Sequence, residues 1–241
     1  MTYILVTGSS RGIGAAALEM LKARGVSVIG HGTRPSDPAF IGADFANPLA
    51  AGLLWEEALE RSGGDISAVV NNAGLFSPTP LDSSDIEWLD GWEDTLRINL
   101  TAAAQLSRFA VRHWLKRETD SEGVRGRIVH VASRAAYRGD SPAHWHYAAA
   151  KGGMVAMHKT IARAYAKDGI VSFAVTPGFT DTSMAGDYLD SRGGAGLLAD
   201  IPLGRVATPE EIATIICFCA LDAPPSMTGA VIDANGASYV R

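Results

Sequence analysis

Short apolar, β-branched runs recur along the chain and alternate with longer stretches of helical period. YILV (3–6), VSVIG (26–30), ISAVVN (66–71), RIVHVA (127–132), IVSFAV (170–175) and AVID (230–233) read as strands. They are nearly continuous in apolar character, as expected of strands covered on both faces of a parallel sheet. Helical patterns fill about 13–24, 48–61, 85–117, 145–167 and 209–221. Asn47 before Pro48 reads as an N-cap with a first-turn proline. Ser84 with Glu87, and Thr208 with Pro209 and Glu211, fit capping boxes. Strand–helix alternation from end to end predicts α/β architecture: one doubly wound parallel sheet of Rossmann type, with helices on both faces and a single domain over 1–241.

One interval breaks the alternation. TRPSDPA (33–39) carries two prolines and is followed at once by a third strand in IGADF. A short loop is expected there in place of a crossover helix. Composition changes this picture little: 47% apolar and 20% charged residues in 241 suit a globular chain with a large core. The net charge of −5 argues against nucleic acid or an anionic membrane as partner. Cys217 and Cys219 read as small buried apolar residues, with no metal cluster and no disulfide framework. TYILVTGSS at the N-terminus has no basic segment or long apolar run, so a cytoplasmic location is expected.

The first strand runs into TGSSRGIG. Gly8, Gly12 and Gly14 close the strand and open a helix, the place where a dinucleotide pyrophosphate rests on backbone N–H groups. A glycine-rich turn without a ligand would look the same from this stretch alone. The spacing Gly-x-x-x-Gly-x-Gly is followed by Asn71-Asn72-Ala73-Gly74 after the fourth strand, by Asn99 in RINLT, and by Ser133 at the end of the fifth. Tyr147-x-x-x-Lys151 comes fourteen residues after that serine, and Pro177-Gly178 with Thr182 closes the sixth strand. In this order and over nearly the whole chain, the motifs resemble those of the short-chain dehydrogenase/reductase family, in its 3-oxoacyl-carrier-protein reductase-like branch.

The resemblance implies a nicotinamide dinucleotide bound by the loop residues Gly8, Ser10, Arg11, Gly12, Ile13 and Gly14. It also implies contacts from Asp44 and Phe45, from the wall Asn71, Ala73 and Gly74, from Tyr147 and Lys151, and from Pro177, Gly178 and Thr182. An NAD site usually carries an acid near the end of the second strand. Here GHGTR (30–34) has none. Arg34, Arg11 and the Thr33 hydroxyl could instead receive a 2′-phosphate, so NADP(H) is expected over NAD(H). Asp37 is close enough in sequence for a bent loop to bring it in, and Arg34 could equally be a solvated cation.

Tyr147 and Lys151 are one helical turn apart. On an arbitrary helix such a pair is ordinary surface. A free phenol titrates near ~10 and is a poor base at neutral pH. An ammonium about 5 Å away, at an effective dielectric of about 20, stabilises the phenolate by roughly 3 kcal/mol. That would bring the tyrosine to about 7–8, where it can exchange a proton with a carbonyl or carbinol oxygen. Ser133 would hold the substrate oxygen, and by the resemblance Asn99 anchors a proton relay to Lys151. Ala148, Ala149, Ala150, Gly152 and Gly153 keep the helix thin, for a cofactor, another subunit or a neighbouring helix.

Arg134, Tyr137, His144, Trp145, Phe179, Met184 and Tyr188 are candidates for the substrate pocket, and 183–200 for a lid over it. Trp88 and Trp92 are expected in the core rather than at the pocket mouth. Arg125, Arg127, Arg134 and Arg138 could gather near the site to receive an acidic carrier protein. By family layout, the helices at 91–117 and 145–167 suggest a homotetramer, or a dimer. The reading is an oxidoreductase interconverting a carbonyl and a secondary alcohol of a small molecule, with no membrane or nucleic-acid partner. The alternatives are a 3-oxoacyl-carrier-protein reductase specifically, a non-catalytic dinucleotide-sensing regulator, and an isomerase or dehydratase on the same scaffold.

Overall fold

A computed structural model describes residues 2–35, 37–182 and 194–241. The strands are β1 (Tyr3–Val6), β2 (Ser27–Gly32), β3 (Phe40–Gly42), β4 (Ile66–Asn71), β5 (Gly126–Val131), β6 (Ile170–Pro177) and β7 (Val231–Ala234). They form one seven-stranded sheet in the order β3-β2-β1-β4-β5-β6-β7. Every neighbouring pair is parallel. The helices are α1 (Gly12–Ala23), α2 (Ala50–Ser62), α3 (Asp85–Leu96), α4 (Ala102–Trp114), α5 (Ala135–Arg138), α6 (Trp145–Tyr165), α7 (Gly194–Ala199) and α8 (Pro209–Cys217).

Both faces of the sheet are covered, which is why the strands read as unbroken apolar runs. On one face Val6, Val70, Val129, Phe173 and Val175 pack against Leu21 of α1 and Ile212 and Ile216 of α8. On the other, Leu5, Val69 and Ile128 pack against Leu54 and Trp55 of α2 and Leu106 and Trp114 of α4. Trp114 is fully buried, and its Nε1 donates to the Ile66 carbonyl at 2.6 Å. Cys217 and Cys219 are buried thiols, and no disulfide joins them.

The described residues of the interval 33–39 form no helix, and β3 is only three residues long. Both capping boxes form, Ser84 with Glu87 and Thr208 with Glu211. Asn47 accepts from the Leu49 N–H at 3.0 Å and shapes a turn; α2 proper begins two residues later than the proline suggested, at Ala50. The long helix expected over 85–117 is α3 and α4 joined by a π-turn, Arg97–Thr101. A second π-turn, Phe218–Asp222, extends α8. Gly153 would bring a Cβ to 2.9 Å from Leu100, whereas Gly152 meets nothing closer than 3.6 Å. Crowding between helices of the same chain therefore accounts for one of the two glycines in α6. Trp88 and Trp92 do not enter the core. They are half-buried and stack on each other at 5.3 Å, with Trp145 edge-on to Trp88 at 6.4 Å, because α3 turns this stripe toward the surface.

Candidate active site

In an open parallel sheet the crevice lies beyond the carboxyl ends of the strands, where the strand order reverses. Here that point is the seam between β1 and β4. Gly8 takes a positive φ of 62°, and a Cβ on it would sit 2.7 Å from the Ala73 Cα. A Cβ on Gly14 would collide with the Gly8 carbonyl oxygen. These two glycines let the β1–α1 turn lie against the β4 exit and leave the start of α1 open to the crevice. Gly12, also at positive φ (56°), faces Thr182, whose Cγ2 would be 3.1 Å from an added Cβ.

The crevice is a cavity of about 840 Å³, toward the upper end of the ~300–1,000 Å³ usual for ligand pockets. Gly8, Ser10, Arg11, Gly12 and Ile13 form its floor, and Thr33, Arg34, Asp44 and Phe45 form one end. Ala73, Gly74, Asn99, Ser133, Tyr147, Lys151, Pro177, Gly178 and Thr182 complete the wall. Gly14 supports this surface without lining it. Asn71 is turned away: its Nδ2 donates to Ser107 Oγ at 3.1 Å beneath the sheet, with His130 Nδ1 3.5 Å off. Asn72 reaches the cavity instead, and its Nδ2 ties the carbonyls of Thr7 and Gly8, each at 3.0 Å. Asp37 accepts from the Ala39 N–H at 2.8 Å and is not part of the cavity wall. Asp44 accepts from the Ala46 N–H at 3.0 Å.

The candidate side chains converge from three elements. Ser133 follows β5, and its Oγ accepts from the Ala135 N–H at 3.1 Å, starting the single turn of α5. The Tyr147 hydroxyl is its neighbour on the cavity wall. Lys151, buried one turn further along α6, holds its Nζ 5.7 Å from the centre of the Tyr147 ring and donates to the Val131 carbonyl at 2.8 Å. Asn99 sits in the π-turn, fully buried. Its amide accepts from the Leu75 N–H (3.0 Å) and donates to the carbonyls of Leu75 (2.9 Å) and Thr95 (3.0 Å). A Cβ on Gly74 would lie 2.7 Å from Asn99 Oδ1 and 3.6 Å from Lys151 Nζ. The glycine of the Asn-Asn-Ala-Gly run thus leaves room for both the amide and the ammonium on this wall.

The electrostatics differ from the sequence expectation. Burial pushes the Tyr147 hydroxyl up to about 12, partly opposed by the neighbouring Ser133 hydroxyl and reinforced by the nearby Asp140 charge. Burial also pulls Lys151 down to about 8. Desolvation of both partners outweighs the attraction that would have brought the phenol to about 7–8. At neutral pH Tyr147 is a protonated donor. His130, on the strand residue before the carbonyl that Lys151 grips, is pulled down to about 3 by burial first, then by the neighbouring charges of His158 and Lys151.

Of the substrate candidates, Arg134 and Phe179 line the cavity, with the Arg134 guanidinium 4.6 Å over the Phe179 ring. His144 is buried and stacked on Phe76 at 4.0 Å, and Phe76 presents itself edge-on to Tyr147 at 4.8 Å. Tyr137 stacks on Tyr239, outside the cavity wall, and Trp145 is 52% exposed on the surface. Met184 and Tyr188, and most of the lid interval 183–200, lie outside the described residues; Gly196 and Asp200 line the cavity. Arg125 and Arg127 flank the start of β5 and bond the carbonyls of Asp168 and Ala223. A strand rises about 3.3 Å per residue, so of the four arginines only Arg134 and Arg138 reach the cavity. Among the described residues no group of three metal-capable side chains assembles.

A family profile described as enoyl-(acyl carrier protein) reductase matches residues 8–236. The chain belongs to the short-chain dehydrogenase/reductase family. It is 34% identical to the 3-oxoacyl-[acyl-carrier-protein] reductase FabG of Escherichia coli over 98% of this chain and 96% of that one. The protein of the same name from Pseudomonas aeruginosa is also 34% identical, over 98% and 96%. An NADP-bound putative 2-deoxy-D-gluconate 3-dehydrogenase from Agrobacterium tumefaciens superposes with a TM-score of 0.85 at 26% identity, over 100% of this chain and 97% of that one. The aldohexose dehydrogenase of Thermoplasma acidophilum shares the fold, with a TM-score of 0.86 at 24% identity over 100% and 94%. This short-chain dehydrogenase/reductase is an NAD(P)-dependent oxidoreductase that interconverts a carbonyl and an alcohol of a small molecule. No helix among the described residues is long and apolar enough to cross a membrane.

Proposed function

We propose that the protein is an NADP(H)-preferring reductase of ketones, with Tyr147 as general acid and Ser133, Lys151 and Asn99 as its supports. The observation that carries this reading is the convergence of Ser133, Tyr147 and Lys151 on one cavity wall shared with the glycine loop. When bound, the nicotinamide dinucleotide supplies or accepts the hydride. Ser133 and Tyr147 grip the substrate oxygen from one side. As that oxygen gains negative charge, the protonated phenol gives up its proton to it, and Lys151, a cation through most of the range below about 8, stabilises the phenolate left behind. A phenol near 12 suits reduction, because a developing alkoxide is more basic still. Asn99 holds the Leu75 backbone and thereby the wall facing Lys151.

The preference for NADP(H) is supported by Arg11 in the cavity floor and Thr33 and Arg34 at its end, by the lack of an acid in 30–34, and by the place of Asp37 off the cavity wall. Planar guanidinium groups match a 2′-phosphate. Similarity to 3-oxoacyl-[acyl-carrier-protein] reductases over 98% of the chain supports a 3-oxoacyl thioester as one substrate to try first, with sugar-derived ketones as the other. A homotetramer, or a dimer, formed through α4 and α6 goes with this reading, as does a lid within 183–200.

The test is NADPH and NADH consumption against ketones, 3-oxoacyl thioesters and keto-sugars, alongside Tyr147→Phe. The expected result is turnover with NADPH preferred, and a variant that binds NADPH but does not turn over. A Tyr147→Phe protein with unchanged turnover would sink the assignment. An NADH preference would overturn the roles given to Arg11 and Arg34.

A further inference from the structure

His31 is an inner residue of β2, 2% exposed, at the end of the cavity where Thr33, Arg34 and Phe45 lie. Its ring stacks on Phe45 with centroids 4.6 Å apart and planes 20° from parallel. Both ring nitrogens are used. Nδ1 lies 3.0 Å from the Gly8 backbone nitrogen, and Nε2 lies 2.9 Å from the Ala43 carbonyl oxygen. An N–H can only donate and a carbonyl can only accept. Nδ1 is therefore the bare nitrogen and Nε2 carries the hydrogen. One side chain thus ties the glycine turn after β1 to the exit of β3.

We propose that His31 positions the adenosine half of the dinucleotide site, by holding the Gly8 N–H with Nδ1 and the Ala43 carbonyl with Nε2, and so fixes the spacing between the glycine loop and the Asp44–Phe45 shelf. The inference rests on the reading that this cavity holds the dinucleotide. Gly8 is the residue whose left-handed backbone most constrains the turn, so an acceptor for its N–H fixes the turn's orientation. The backbone of His31 adds to the clasp: its carbonyl accepts from the Ser9 N–H at 2.8 Å, and its N–H donates to Ser9 Oγ at 3.0 Å. Burial lowers the basicity of the imidazole, which keeps Nδ1 free to accept. A ring present only to fill space beside Phe45 would not need both nitrogens directed at backbone groups of two different loops.

The experiment uses the whole protein and three variants, with 2′,5′-ADP as a probe that carries the adenosine half alone. In an asparagine the side-chain oxygen stands where Nδ1 stands, and in a glutamine the amide nitrogen stands near Nε2. His31→Leu removes both bonds, His31→Asn keeps the one to Gly8, and His31→Gln keeps the one to Ala43. His31→Leu is expected to weaken 2′,5′-ADP and NADPH by about tenfold, or 1.4 kcal/mol. Its kcat at saturating NADPH and its KM for the carbonyl substrate should stay unchanged. His31→Asn should recover at least half of the loss on a logarithmic scale, and His31→Gln less. Wild-type affinity in His31→Leu would overturn the proposal. So would a His31→Asn protein as weak as His31→Leu, which would make ring packing on Phe45 the cause, or a fall in kcat with affinity intact. If the wild-type protein itself binds none of 2′,5′-ADP, NADPH and NADH, the dinucleotide reading of the cavity falls, and His31's role with it.

Discussion

Replacing His130 with asparagine should make the protein less sensitive to mild acid. The imidazole is fully buried between β5 and α6, 5.9 Å from the His158 ring, with Asn71 beside it. Its native pKa of about 3 lies far below the ~6.5 of an unfolded histidine. As pH falls, the unfolded chain takes up the proton first. The contribution to stability is therefore whole above about 6.5 and is lost progressively as pH drops toward about 3. Between pH 8 and pH 5 the linkage relation puts the loss from this one residue at about 2 kcal/mol. For a chain of this size that is roughly 4–8 °C in Tm. His31, His146 and His158 are also lowered by burial, so the whole protein loses more than this. The difference between wild type and variant isolates His130. Urea unfolding of both at pH 8 and pH 5 gives four free energies. The wild-type protein should lose about 2 kcal/mol more on acidification than His130→Asn does. Equal losses would refute the assignment of a buried neutral imidazole, whatever the variant's stability at pH 8.

Two further outcomes are expected. Gly14→Ala places a methyl against the Gly8 carbonyl oxygen and 2.5 Å from Asn72 Nδ2; with backbone on one side it should cost about 1–3 kcal/mol and weaken NADPH binding, and an unchanged melting curve and NADPH affinity would contradict the close approach. The thiols of Cys217 and Cys219 are pushed up by burial to about 11 and about 12, so a thiol reagent at pH 8 should modify neither in the native protein and both in urea; rapid native labelling would contradict their packing against α1 and the sheet.

Much of the fold was legible because burial on both faces leaves an unbroken apolar run, and β1, β4 and β6 begin at the residues expected. The apolar pattern ends β2 two residues short because its last pair, His31-Gly32, is polar and small, yet it is buried by the glycine turn. The π-turn at Arg97–Thr101 was invisible: it accompanies Asn99 bonding the Leu75 backbone, a contact distant in sequence. The family resemblance implies a place for Asn71 on the cofactor wall, whereas strand alternation puts it on the face of Val69, toward α4. Period two along β4 could have selected Asn72 instead. That Ser133, Tyr147 and Lys151 share one cavity wall was legible through order and spacing, but the proton affinity of Tyr147 was not. A pairwise charge argument sees the lysine four residues away and misses the desolvation of both groups.

The strand order has a consequence for how the molecule comes into being. β1 must pair with β4 across 63 positions of chain, Tyr3 with Ile66, and no local hairpin can stand in for that join. Long-range parallel pairing is slow, because loop closure comes before any contact that rewards it. The crevice does not exist until that seam closes, since Gly8 and Ala73 arrive from opposite sides of it. During refolding, the ability to capture a dinucleotide should appear with the last long-range step, well after helix signals have recovered. The cofactor would then act as a latch, drawing the chain toward the joined state by RT ln(1 + [L]/Kd) and leaving half-assembled forms without that support.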